Sequence, residues 1–111
     1  MFEDELLERL NRLEYHQSLL LKMVEGSKAK FDMLVIKKGL SERDVQKFYK
    51  NCEQLSMELE EQKAEGFVYF HPLFNKFKEE LHPRLQVEEV IHACILQKLF
   101  LLLMDELKRY I

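Results

Sequence analysis

A chain of 111 residues, 47% apolar and 33% charged, has the length and composition of one domain that buries a core without staples. Its net charge of −3 at pH 7 argues against nucleic acid as a partner, because duplex binding draws its affinity from clustered Lys and Arg. The opening MFEDELLERL is acidic where an export signal is basic, and the greasiest run, Cys94 to Met104, is interrupted by Gln97 and Lys98 and too short to span a bilayer. The expectation is a cytoplasmic protein with no membrane partner, whose two cysteines, Cys52 and Cys94, stay as thiols.

Three Gly and two Pro leave little room for the turns of an all-β fold, so helices are expected throughout. In the first segment Leu6, Leu10, Leu13, Leu20 and Val24 follow alternating four- and three-residue steps with Gln17 filling the gap, a helical stripe of coiled-coil period. Gln17 reads either as a half-exposed residue at the margin of the stripe or as a polar residue that fixes register between helices. A short helix over Phe31–Lys38 presents Phe31, Leu34 and Val35 on one face. Gly39 supplies the left-handed residue that ends it, Ser41 and Asp44 form a capping box for the next helix, and Leu40 and Val45 sit where a hydrophobic staple closes the corner. Around this corner Lys28–Lys50 is the most basic region, but Asp32, Glu42 and Asp44 interrupt it; Arg43, Lys47 and Lys50 read as a solvated face.

The third helix runs from Glu42 to about Glu65, with Val45, Phe48, Cys52, Leu55 and Leu59 as its apolar seam. The seams of the first and third helices are expected to contribute to one core. Gly66 ends the third helix, and Phe67–Phe70 read as an extended connector. Pro72 suits the first position of a fourth helix, whose Leu73, Phe74, Phe77 and Leu81 form an apolar stripe over a polar back; these rings are read as core rather than as a ligand pocket.

The last segment carries an anomaly. Val87, Val90, Ile91, Cys94 and Ile95 share one helical face, whereas Leu99, Phe100, Leu103, Met104, Leu107, Tyr110 and Ile111 centre about half a turn away. Either the helix breaks near Gln97–Lys98, or it is continuous and each half meets a different neighbour. The run LFLLLM is apolar all round, and part of its surface is expected to be completed by another copy of the chain, with Phe100, Leu103, Met104 and Leu107 as the candidate self-association residues.

No constellation of chemistry-bearing residues stands out. Glu79 with His82 and Glu89 with His92 repeat the Glu-x-x-His spacing of carboxylate di-metal bundles, but both glutamates fall on polar faces and His82 precedes Pro83; they support only a remote metal-enzyme reading. His92 and Cys94, two apart on a helix, point to different sides. Glu61–Pro72 has glycine in the sixth place of a calcium loop, but Lys63 in the third and Pro72 in the last exclude an EF-hand. The three glycines are isolated, so no phosphate-cradling loop is present, and no serine sits in a nucleophile-elbow context.

The segments RLEY (Arg12–Tyr15), LL (Leu19–Leu20), KKGLS (Lys37–Ser41), Cys52, LSMEL (Leu55–Leu59) and QKAEGFVYF (Gln62–Phe70) together resemble the YhaI-like family, small uncharacterised proteins of spore-forming Gram-positive bacteria. The resemblance covers nearly the whole chain. It implies an all-helical fold and no assigned activity, and it supplies no functional residues. In that pattern a glycine, which would support a break, occupies the position of Lys98, and the Glu-x-x-His pairs are not part of it.

The sequence therefore predicts one all-α domain over residues 1–111, a compact bundle of five or six helices. Its expected role is that of a non-enzymatic, self-associating protein with no cofactor, metal or nucleic acid. The alternative is a binding module that accepts a helix of a heterologous protein.

Overall fold

A computed structural model describes residues 2–111, and among these all regular structure is helical. The helices are α1 (Phe2–Val24), α2 (Lys30–Lys38), α3 (Glu42–Ala64), α4 (His71–Glu80), α5 (Val87–Gln97) and α6 (Leu101–Leu107), followed by a 3-10 turn, Lys108–Tyr110.

The boundaries lie where local chemistry puts them. At the start of α3 the Ser41 hydroxyl accepts the Asp44 N–H at 3.1 Å, and the Asp44 carboxylate accepts the Ser41 N–H at 2.9 Å, which satisfies two otherwise orphaned donors. Leu40 and Val45 both pack against the core beside this corner. Gly39 (φ 67°) and Gly66 (φ 93°) are left-handed, and beyond them the Leu40 N–H returns to the Val35 carbonyl and the Phe67 N–H to the Gln62 carbonyl.

The break near Gln97–Lys98 is real and is made without glycine. Lys98 (φ 61°) and Phe100 (φ 50°) are both left-handed, at a cost of about 1–2 kcal/mol each for an L-residue. The Lys98 N–H bonds to the Ile95 carbonyl at 3.1 Å and the Leu99 N–H to the Cys94 carbonyl at 2.8 Å, closing the end of α5. The chain then turns so that α6 offers Leu103, Met104 and Leu107 to the same core that α5 fills with Val90, Ile91 and Cys94. The half-turn shift of the apolar face is thus absorbed inside one subunit.

The core is built by α2 to α6. α2 lies antiparallel on α5: the Gln97 side-chain oxygen accepts the Asp32 N–H at 2.9 Å at one end, and Lys38 meets Glu89 at 3.6 Å at the other. α4 folds back along α3, with Phe77 edge-on to Phe48 and Lys76 donating to Glu58 at 2.7 Å. Arg84 ties the connector before α5 to the end of α2 by donating to the Lys38 and Gly39 carbonyls. Cys52, Leu55, Val90, Ile91, Leu103, Met104 and Leu107 are fully enclosed, and each such aliphatic side chain contributes roughly 1.5–3 kcal/mol by leaving water.

Two expectations are corrected. The seam of α1 does not join that of α3: α1 buries none of its residues, and it projects from the body. The radius of gyration, 17.6 Å over extents of 65 × 28 × 18 Å, exceeds the about 13 Å of a compact chain of this size, so compactness belongs to α2–α6 alone. The aromatic stretch follows the expectation: Phe74 and Phe77 of α4 are core, joined by Phe70 at the end of the connector, while Phe67 and Tyr69 are exposed because the extended segment before α4 lies on the surface.

Candidate interaction surface

Helix α1 spans 23 residues, about 35 Å at 1.5 Å per residue, yet its apolar stripe faces solvent. Leu6, Leu10, Leu13, Leu20 and Val24 are each 40–61% exposed. Counted in heptads, Leu6, Leu13 and Leu20 take the d positions and Leu10, Gln17 and Val24 the a positions. Leu7 and Leu21 at e, with Phe2 and Met23 at g, widen the stripe at its two ends. The helix is otherwise well formed: Glu3, Asp4 and Glu5 occupy its first turn and Lys22 its last, each of the sign that favours the helix dipole. Over most of its length the apolar side of this helix has no covering neighbour among the described residues.

Towards its C-terminal end the stripe becomes one wall of a groove. Leu13, Gln17, Leu20, Leu21 and Val24 line it with Ile36 of α2 opposite, enclosing about 240 Å³ with an almost wholly apolar surface. Ile36 is 40% exposed although it lies on a packed helix, because the face of α2 on which it stands is turned away from α5 and towards α1.

A second apolar surface lies between α3 and α6. Met57, Leu59, Phe100, Leu101, Leu102 and Leu103 line a groove of about 530 Å³, flanked by Glu60 and Lys63. Here the structure sorts the four self-association residues predicted from sequence. Leu103, Met104 and Leu107 are interior to the single chain, and Phe100 is half-buried with its ring 5.8 Å from that of Tyr49. Leu103, Met104 and Leu107 are corrected to core residues, since the turn at Lys98–Phe100 carries α6 back onto its own subunit, and Phe100 packs at the margin of that core; the exposed members of the run are Leu101 and Leu102.

A third, polar cleft of about 450 Å³ lies between the start of α3 and the connector after α4, where Asp44, Lys47, Asn51, Glu79, Glu80 and His82 meet the solvent. Two of its charged or titratable groups, Asp44 and His82, are engaged in building the fold. Hydrogen bonds from Ser41 hold the Asp44 carboxyl below the usual range, and His82 accepts the Arg84 N–H at Nδ1 while its Nε2 lies 3.8 Å from Asp44. Among the described residues no serine, threonine or cysteine lines the cleft.

The two Glu-x-x-His pairs are not brought together. Glu89 faces Lys38, Glu79 and His92 are exposed, and among the described residues no three His, Cys, Asp or Glu side chains converge as metal ligands. Cys52 and Cys94 are both buried; desolvation pushes the Cys94 thiol up to about 12, and burial raises Cys52 as well, so neither is a ready nucleophile. Among the described residues no helix is long and apolar enough to cross a membrane.

The family model described as "Protein of unknown function (DUF1878)" matches residues 3–111. The chain belongs to that family. The match begins within α1, so the projecting helix is part of what the family shares with this chain. Reading the sequence alone missed Ile36, Leu101 and Leu102 as surface residues, and it placed the α1 stripe in the wrong environment. Spacing alone did not separate the first helix, because the seam of α3 (Val45, Phe48, Cys52, Leu55 and Leu59) keeps the same three-four steps and is packed within the chain.

Proposed function

We propose that this protein acts through association with further copies of itself along α1, as a cytoplasmic, non-enzymatic, homo-oligomeric helical protein. The observation that carries this reading is the exposed heptad stripe of a 23-residue helix none of whose residues is buried within its own chain. The kinship with YhaI-like proteins of spore-forming bacteria belongs to the same proposal and rests on the middle segments Lys37–Ser41 and Gln62–Phe70.

The magnitude is adequate. Five seam residues per chain, each about half exposed, offer roughly 0.8–1.5 kcal/mol apiece on full burial, or about 8–15 kcal/mol gross for a pair of chains. That is comparable with the about 4–15 kcal/mol lost in tying two molecules together, so the apolar residues flanking the seam tip the balance towards micromolar assembly. Sedimentation equilibrium from low to high micromolar protein is the test. A mass that is a multiple of the 13.5 kDa chain supports the proposal, and a single 13.5 kDa species at every concentration overturns it.

The groove between α3 and α6 favours a second reading, that of a module accepting an amphipathic helix from another protein, because exposed Met57, Leu101 and Leu102 rim a floor formed by Leu59 and Leu103. A defined partner bound by the wild type and equally by Leu102→Glu would remove it.

A further inference from the structure

We infer that copies of α1 associate parallel and in register, with Gln17 of one chain set against the partner's Gln17. This rests on the self-association proposed above and specifies its geometry. Three features of the exposed helix agree on it.

The first is the polar residue in the seam. Gln17 is exposed in the single chain and stands at an a position between Leu13 and Leu20. An amide enclosed by a partner helix needs partners for its donors and its carbonyl. A parallel, in-register pairing brings the two amides side by side, so that the N–H of one meets the carbonyl of the other, which is how a lone polar a residue fixes register. An antiparallel pairing centred on the same seam sets Gln17 opposite the partner's Leu13 and leaves both amides unmatched.

The second is charge. Arg9 occupies a g position and Glu14 the e position five residues on. Arg12 is already engaged by Glu8 at 3.3 Å, whereas Arg9 and Glu14 form no ion pair among the described residues. In the parallel arrangement each Arg9 flanks the seam beside the partner's Glu14. The antiparallel arrangement instead brings Glu14 near the partner's Glu14, a like-charge contact.

The third is the apolar border. In the parallel arrangement Phe2 at g falls beside the partner's Leu7 at e, which extends burial past the first d residue. Towards the other end Ile36 stands as a shoulder beside Gln17, Leu20 and Val24, so a helix laid on the seam also covers the groove between α1 and α2.

The probe is Leu6→Cys, near the free end of the helix, in the full-length chain. Parallel in-register pairing puts the two introduced thiols side by side, whereas antiparallel pairing separates them by about 27 Å along the axis. The native Cys52 and Cys94 are buried and stay silent under mild oxidation. The expected result is near-complete cross-linking into a reducible species of twice the chain mass, with the helix content of the wild type. An assembly of unchanged mass that fails to cross-link, or that cross-links only when Leu6→Cys chains are mixed with Val24→Cys chains, overturns the parallel register and leaves self-association standing. A monomeric wild type overturns both. Should the cysteine itself disturb the seam, a charge exchange probes the same register: Arg9→Glu and Glu14→Arg each weaken association severalfold, and the double variant restores it. Failure of that rescue counts against the register.

Discussion

Substitution of Leu13 by glutamate separates the two roles that an apolar helix can have. In the single chain Leu13 is 61% exposed, and an exposed leucine outside the core changes stability by no more than about 0.5 kcal/mol when replaced. In a symmetric pair the same substitution removes two leucines from the middle of the seam. The burial lost is roughly 60% of a full leucine twice over, about 2–4 kcal/mol. Two carboxylates forced together out of water add several kcal/mol more unless they protonate or the helices part. Association is therefore expected to weaken by at least about 30-fold, since each 1.4 kcal/mol is a factor of ten. The assay is molar mass by light scattering over a concentration series, with far-ultraviolet circular dichroism on the same samples. The expected outcome is a folded monomer with the helix content and thermal midpoint that the wild type shows at high dilution. Retention of the wild-type oligomer mass would refute the reasoning, as would loss of helix content and of a thermal midpoint in the variant, since that would mean Leu13 carries the fold of its own subunit.

Four further outcomes follow from the body of the molecule. Leu103→Glu, enclosed at 1% exposure, is expected to abolish cooperative thermal unfolding at any concentration, the reverse of Leu13→Glu; a folded Leu103→Glu chain would contradict the packing of α6. Lys98→Gly relieves a left-handed lysine and is expected to raise stability by about 0.5–1 kcal/mol in urea titrations, the strain relieved less the added chain entropy, and Lys98→Pro to be strongly destabilising. Glu106 is buried between Lys63 at 3.6 Å and Arg109 at 3.5 Å with one carboxylate oxygen lacking a hydrogen bond, so Glu106→Met is expected to be neutral or stabilising by about 1 kcal/mol. A clear loss of stability on that change would show that the ion pairs outweigh the desolvation. The capping carboxylate of Asp44 titrates below its ordinary value, so its contribution is complete above about pH 4 and disappears as pH falls through the lowered folded-state value; the difference in melting temperature between wild type and Asp44→Ala should be constant from pH 7 to 5 and shrink in more acid solution.

What the sequence revealed and concealed divides along one physical line. Features set by neighbours within a turn or two were legible: the Ser41–Asp44 box, the left-handed Gly39, the helix end at Gly66, and a fourth helix opening at Pro72, which the structure begins one residue earlier at His71. So were the buried seam of α3 and the opposing faces of α5 and α6, because periodicity names the side of a helix that is covered. Periodicity does not name what covers it, and that is why the α1 stripe was assigned to the core and Leu103, Met104 and Leu107 to an interface. The burial of Glu106 was hidden for the same reason: Lys63 and the rest of α3 reach it only through tertiary packing. The turn at Lys98 carried no glycine to announce it, and only the half-turn rotation of the apolar set pointed there.

The 65 Å long axis, more than twice the next dimension, has a practical bearing on any measurement of size. A rod fixed to a ball drags more solvent than a sphere of equal mass, so a lone chain will elute early from a sieving column, in the volume of a heavier globular standard. Two rods laid side by side add mass with little added length. Pairing through α1 should therefore shift elution far less than it shifts mass, and frictional ratio, which falls as rods bundle, becomes the more sensitive witness of assembly.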